Sequence, residues 1–134
     1  SIFSSLPYSQ LKELFCYTLF FEGYFVAPYY LTSKKGVFSN YLRYCYEIKS
    51  IEKIPRKYFS PEPTIESYFF FIKRKRVVSY ELFKKLFSKS LKMLGSSIIS
   101  NEEISNKRLH QLTEKELTLI LSLKEIKIIE FNKK

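Results

Sequence analysis

Between residues 9 and 22 the apolar positions repeat with a helical period, Leu11, Leu14, Phe15, Thr18 and Leu19 falling on one face. Ser9 can accept a hydrogen bond from a free amide of the first turn, Pro7 keeps the incoming chain extended, and Gly23 falls where a left-handed residue would end the helix. The aromatic and β-branched content of Tyr24-Phe25-Val26 predicts a strand directly afterwards. Strands are expected over 24–31 and 37–46, around a turn at 32–36, with a third over 47–54. The stretch 55–66 holds three prolines and several charges, which mark a boundary or a surface insertion. Tyr68 to Ile72 is short, aromatic and apolar, as in a buried strand that Val77 and Val78 continue. Ser79 caps a predicted helix running to about Leu94, with Leu82, Phe83, Leu86, Phe87, Leu91 and Leu94 on one face. Gly95 ends it, and Ser97-Ile98-Ile99 begins another strand.

Charge changes the picture from scaffold to partner. The chain has 134 residues, 46% of them hydrophobic, enough for a packed core, and a formal net charge of +10. That excess points to a polyanion, nucleic acid first and an anionic membrane second. No segment reaches the roughly 18 uncharged apolar residues of a membrane span, since the run from Leu14 to Phe21 is cut by Glu22. No basic residue precedes Lys12, so the N-terminal stretch has the look of neither a secretory signal nor an Arg-rich transit peptide. The many Phe and Tyr, 13 and 11 copies against three Gly and no Trp, together with abundant Lys and Ile, suggest coding pressure from an AT-rich genome such as an organelle's.

Cysteine and histidine add little chemistry. Cys16 and Cys45 are too few and too far apart for a metal box or a disulfide framework and are expected as small core hydrophobes. His110, the only histidine, lies in a polar stretch without a carboxylate or nucleophile at useful spacing. With no glycine-rich phosphate loop and no metal-ligand cluster, the expectation is no catalysis, no cofactor, no metal and no small-molecule substrate.

The basic residues form three groups. Lys73-Arg74-Lys75-Arg76 is flanked by aromatic residues, and an extended chain sends such a run to both faces, so a phosphate clamp is expected there. Lys53, Arg56 and Lys57 form a second group, and Lys34 and Lys35 a third at a turn. Such groups give salt-dependent affinity, whereas hydroxyl and amide side chains such as Ser96, Ser97, Ser100 and Asn101 suit the ribose 2′-hydroxyl.

Several blocks, in order, resemble the bacterial-type family of small-subunit ribosomal protein eight. Pro7-Tyr8-Ser9-Gln10-Leu11-Lys12 and Glu22-Gly23-Tyr24-Phe25 match the opening and close of the family's helix. Tyr41-Leu42-Arg43-Tyr44 is similar to a family strand, and Ile48 with Ser50-Ile51-Glu52-Lys53-Ile54 to its next block. Leu94-Gly95-Ser96-Ser97-Ile98-Ile99-Ser100 resembles the lead into the family's RNA-contacting loop. Asn101-Glu102-Glu103-Ile104 departs from that loop by placing two carboxylates where a basic residue and a glycine are expected. Thr113 and Glu116 have the spacing of a capping box, yet the resemblance makes 117–124 a closing strand, and the alternation of Leu119, Leu121 and Leu123 favours a strand as well.

The resemblance implies an α+β fold with two small lobes: an α/β lobe over 1–56, a Pro-rich insertion or linker over 57–67, and a mostly β lobe with one helix over 68–134. It implies a structural, non-enzymatic constituent of the small ribosomal subunit, bound to the central domain of small-subunit ribosomal RNA and to neighbouring small-subunit ribosomal proteins. The coding bias suggests a mitochondrial ribosome in the matrix. A non-enzymatic accessory subunit of an organelle membrane complex is the alternative, and a nucleic-acid-processing enzyme comes third because paired catalytic groups are absent from the sequence.

Overall fold

In the computed structural model, which describes residues 8–33, 35–59, 61–88 and 107–131, three strands form one sheet in the order β1-β3-β2. They are β1 (Glu22–Pro28), β2 (Tyr46–Ile54) and β3 (Ser67–Arg74), and β3 runs antiparallel to both neighbours. The sheet therefore draws on both sides of the expected linker. Helix α1 (Tyr8–Tyr17) precedes β1, and α2 (Gly36–Cys45) joins β1 to β2. A short pair of strands, β4 (Arg76–Val77) and β5 (Ile129–Glu130), lies beyond β3, with α3 (Tyr80–Phe87) and α4 (Glu114–Leu123) between them in sequence. The α+β class holds.

One face of the sheet carries Ala27, Phe70 and Ile72, all essentially buried, and meets Leu11 and Phe15 of α1 and Tyr41 and Leu42 of α2 in a single apolar cluster. The other face has Tyr24, whose ring lies 5.5 Å from that of Phe69 and 5.1 Å from that of Phe71 between centroids, beside Glu22, Glu47, Lys49, Glu52 and Lys73. Alternation along β1 and β3 produces this division, because successive side chains of a strand point to opposite faces.

Helix α1 ends at Tyr17, earlier than the pattern predicts, and Gly23 lies inside β1 rather than in a left-handed turn. Gly23 supplies room, since a Cβ there would stand 2.9 Å from Phe20 Cζ. Among the described glycines the left-handed one is Gly36, at φ +78°, where the chain turns into α2.

The expected strand over 37–46 is helix α2. Its aromatic content favours strands, but Phe38, Tyr41, Leu42 and Cys45 recur at helical spacing, and burial on nearly every side overrides propensity. Its polar groups are satisfied inside: Ser39 donates to the Leu31 carbonyl at 3.1 Å, Asn40 Nδ2 to the Gly36 carbonyl at 2.8 Å, and Tyr41 to the Val78 carbonyl. The strand expected over 117–124 is likewise helical. Thr113 Oγ1 accepts from the Glu116 amide at 3.1 Å while Glu116 Oε1 accepts from the Thr113 amide at 3.0 Å, a complete capping box, and Leu117, Ile120 and Leu121 are buried. Ser79 caps α3 as expected, accepting from the Leu82 amide at 3.3 Å.

Among the described residues no helix is long and apolar enough to cross a membrane. Cys45 is buried and Cys16 half-buried, and burial pushes both thiols up to about 12, so both stay protonated and unreactive at neutral pH.

Candidate nucleic-acid interface

Strands β1 and β2 run parallel, one strand apart, so their carboxyl ends emerge on the same side about 10 Å from each other, two inter-strand spacings. A proline closes β1 and another follows β2 directly. Pro28 and Pro55 hold φ near −57° and −58° with extended ψ, and each launches a 3₁₀ turn: Tyr29–Thr32 after β1 and Arg56–Tyr58 after β2. The Tyr29 amide donates to the Glu66 carbonyl at 2.9 Å and Arg56 Nη1 to the Thr64 carbonyl at 3.3 Å, so the segment entering β3 braces both turns. Phe59, directly after the second turn, is buried.

This end of the sheet displays Tyr29 at 50% exposure and Tyr58 at 43%, with Tyr30 edge-on to Tyr29 at 6.0 Å. Lys57 Nζ stands 5.7 Å from the Tyr58 ring centroid. Lys53 pairs with Glu66 at 2.6 Å in the open. Lys35, exposed ahead of α2, belongs to the same end of the molecule. Of the three basic groups in the sequence, Lys53, Arg56 and Lys57 are thus brought together and joined by aromatic residues that the sequence reading passed over. The signal was the repeated Pro-aromatic/basic pattern, Pro28-Tyr29-Tyr30 and Pro55-Arg56-Lys57-Tyr58.

In the run Lys73 to Arg76, at the opposite end of the sheet, Arg74, Lys75 and Arg76 are engaged within the fold. Arg74 is 5% exposed, and its guanidinium donates to the carbonyls of Phe20 at 2.7 Å, Thr18 at 3.0 Å and Arg76 at 3.2 Å and to the Tyr46 hydroxyl. A buried cation is thereby set against the carbonyls just past the end of α1, where the helix dipole favours positive charge. Lys75 pairs with Glu114 at 2.6 Å, and Arg76 with Glu114 at 2.9 Å and Glu130 at 3.0 Å while lying over the Tyr44 ring. Burial alone would raise the Glu114 carboxyl, but hydrogen bonds from Lys75 and Arg76 outweigh it and hold the group below the usual carboxylate range. Lys73 is exposed, in register between Glu22 and Glu47.

Lys34, Ser96, Ser97, Ser100 and Asn101 lie outside the described residues. His110 is exposed on the 3₁₀ turn Leu109–Gln111. Among the described residues no group of three or more His, Cys, Asp and Glu could hold a metal ion.

No protein-family model matches the sequence, and no curated protein matches it. Among solved structures the chain is similar to a dimethyladenosine transferase from Plasmodium falciparum, with a TM-score of 0.55 and 12% identity over 90% of this chain and 66% of that one. It thus spans slightly less than two thirds of that structure. It is more remotely similar to the 23S rRNA methyltransferase ErmE, with a TM-score of 0.47 and 11% identity over 78% of this chain and 55% of that one. At such identity the first likeness is one of fold, and it overturns the assignment to the ribosomal protein eight family. The local structure agrees, because Tyr41 to Tyr44 and residues 117–124, strands under that assignment, are helical. The roles of structural constituent of the small ribosomal subunit, of partner to its proteins and of non-enzymatic membrane-complex subunit fall with it, as does the expectation that the chain is no enzyme, because the solved structure that it resembles in fold is an enzyme's.

Proposed function

We propose that this chain is the substrate-facing part of an RNA-modifying enzyme that methylates adenosine. The fold likeness over 90% of the chain to a dimethyladenosine transferase carries the reading. The net charge of +10 and the basic, aromatic end of the sheet support RNA as the polyanion. Tyr29, Arg56, Lys57 and Tyr58 lie together at the end of the sheet where β1 and β2 finish. The coding bias supports an organellar setting, mitochondrial in the first instance.

A methyl-transferring enzyme needs a cradle for its donor. Among the described residues no glycine-rich turn leads from a strand into a helix: Gly23 is inside β1, and Gly36 follows a 3₁₀ turn. The described residues therefore do not fit a nucleoside-bearing donor, and no transfer step is assigned to them. What they contribute is substrate contact.

The test is to incubate the full-length protein with ribosomal RNA and methyl-labelled S-adenosylmethionine, digest the RNA and separate the nucleosides. Label in methylated adenosine is expected. Label confined to other nucleosides, or none from RNA that the protein demonstrably binds, overturns the proposal.

A further inference from the structure

We infer that the outer face of the sheet, centred on Tyr24, Phe69 and Phe71, docks a helix of a partner protein whose apolar stripe is flanked by Lys or Arg. The inference stands on the sheet alone and does not draw on the proposed activity.

Strands β1 and β3 have the make-up of strands covered on both sides. Tyr24-Phe25-Val26-Ala27 and Tyr68-Phe69-Phe70-Phe71-Ile72 are unbroken apolar runs, whereas a strand with one wet face alternates. Among the described residues only one face is covered. Phe25, Ala27, Phe70 and Ile72 join the core cluster or pack against it, while Tyr24, Val26, Phe69 and Phe71 stand outside it. Tyr24 is 63% exposed and the other three are half-buried. The register pairs Tyr24 with Phe71 and Val26 with Phe69, which gathers the four into one patch.

The size of the face selects the occupant. Three strands of about seven residues span about 14 Å by 23 Å, or about 320 Å², against the roughly 800 Å² that each partner of a stable dimer contributes. A second copy would also bring its own net charge of +10 against this one. A single helix about 10 Å across and about fifteen residues long has the footprint of the face.

Charge selects the flanks. In a strongly basic chain this face holds a local excess of acid, because Glu22, Glu47 and Glu52 outnumber Lys49 and Lys73. At physiological salt, charges farther away than about 8 Å are largely screened, so the local balance decides which helix is accepted. Glu47 and Glu52 belong to β2, beside the apolar patch, and so meet the flank of a helix lying over β1 and β3. Nucleic acid and anionic lipid are repelled from the same face.

The experiment titrates the full chain, at physiological ionic strength, with labelled helical peptides of about fifteen residues. One carries a leucine stripe with Lys flanks, one the same stripe with Glu flanks, and one is an isomer of the first with its leucines dispersed around the helix. Fluorescence anisotropy is expected to show binding of the Lys-flanked peptide, weakened about tenfold or more by Tyr24→Ser and lost in the dispersed isomer. Glu47→Lys combined with Glu52→Lys is expected to shift the Tyr24-dependent part of binding to the Glu-flanked peptide. A Tyr24→Ser protein that matches the parent, a dispersed isomer that binds equally, or a preference indifferent to the charge reversal overturns the inference. Amide chemical shifts of the unmutated protein are free of any question of variant folding. The Lys-flanked peptide should move Tyr24, Val26, Phe69 and Phe71 and leave Arg56 and Tyr58 in place, and the opposite pattern overturns the inference. Dimerisation in sedimentation equilibrium that Tyr24→Ser removes would assign the face to a second copy. Tyr24-dependent binding to vesicles of phosphatidylcholine and phosphatidylglycerol, without peptide binding, would assign it to a membrane. Either result overturns the helix.

Discussion

The Arg74 guanidinium lies 4.5 Å from the centre of the Tyr46 ring and donates to its hydroxyl, so a cation from the end of β3 and the first residue of β2 close the core beneath the end of α1. Burial, outweighing the nearby guanidinium, pushes the Tyr46 phenol upward, so it remains a neutral acceptor at any ordinary pH. The pair holds helix, sheet and the Thr18–Phe20 segment together.

Arg74→Met is therefore expected to be among the more destabilising changes in the molecule. The aliphatic stem is replaced, but the half-buried carbonyls of Thr18 and Phe20 lose a charged donor, at a cost of about 1–3 kcal/mol. Urea unfolding followed by far-UV circular dichroism measures it. A midpoint equal to the parent's would mean that the carbonyls find other donors.

Acid should loosen the contact between α4 and the strand end through Glu114. Its carboxyl is held below the ordinary value by Lys75 and Arg76, so its contribution is fully present above the unfolded carboxylate range and is lost as pH falls through the folded value. The side chain is 44% exposed, so solvent screens the pairs and the effect is modest. Melting temperature recorded from neutral pH down to the acid limb should fall less steeply in Glu114→Gln than in the parent. Parallel curves would remove Glu114 from the account.

Thr113→Ala removes one half of the capping box that starts α4. A loss of about 1 kcal/mol is expected, with Thr113→Ser keeping most of the stability because the hydroxyl that accepts from the Glu116 amide survives. Denaturant unfolding of the two variants side by side decides the matter.

The two described glycines with structural tasks should respond differently to alanine. At Gly36 nothing lies within 4 Å of an added Cβ, so the cost is backbone strain at φ +78°, about 1 kcal/mol, and Asn should be tolerated better than Ala. At Gly23 the backbone is ordinary and the penalty arises only if the Phe20 ring cannot swing aside. Gly36→Asn more stable than Gly36→Ala, by thermal melting, is the distinguishing result.

Elements governed by nearby residues were legible in the sequence, and those governed by distant ones were not. Ser79 announced α3 and the apolar run Tyr68 to Ile72 announced β3, because a cap and a short aromatic run are local signals. Thr113 and Glu116 announced α4 just as clearly, and the resemblance to another family, together with three alternating leucines, was set above them wrongly. Helix α2 was hidden because its tyrosines and phenylalanine favour strands until the core surrounds them. At the candidate interface, Lys53, Arg56 and Lys57 stood out as charge, but only the pairing of β1 and β2 with β3 places Tyr29 on the same end as Tyr58. Nothing local distinguishes Arg74 from Lys73, and the register of β3 alone turns one inward and leaves the other in water.

The position of β3 sets the order of assembly. Strands β1 and β2 never touch, since the strand between them is made last, and every ladder hydrogen bond of either one waits for residues 67–74. A chain growing from its N-terminus carries two unpaired strands and a half-wrapped aromatic core until Arg74 has emerged, and only then can the sheet close over both partners in one step. Fragments ending before Ser67 should therefore behave as collapsed, sheet-poor chains prone to self-association.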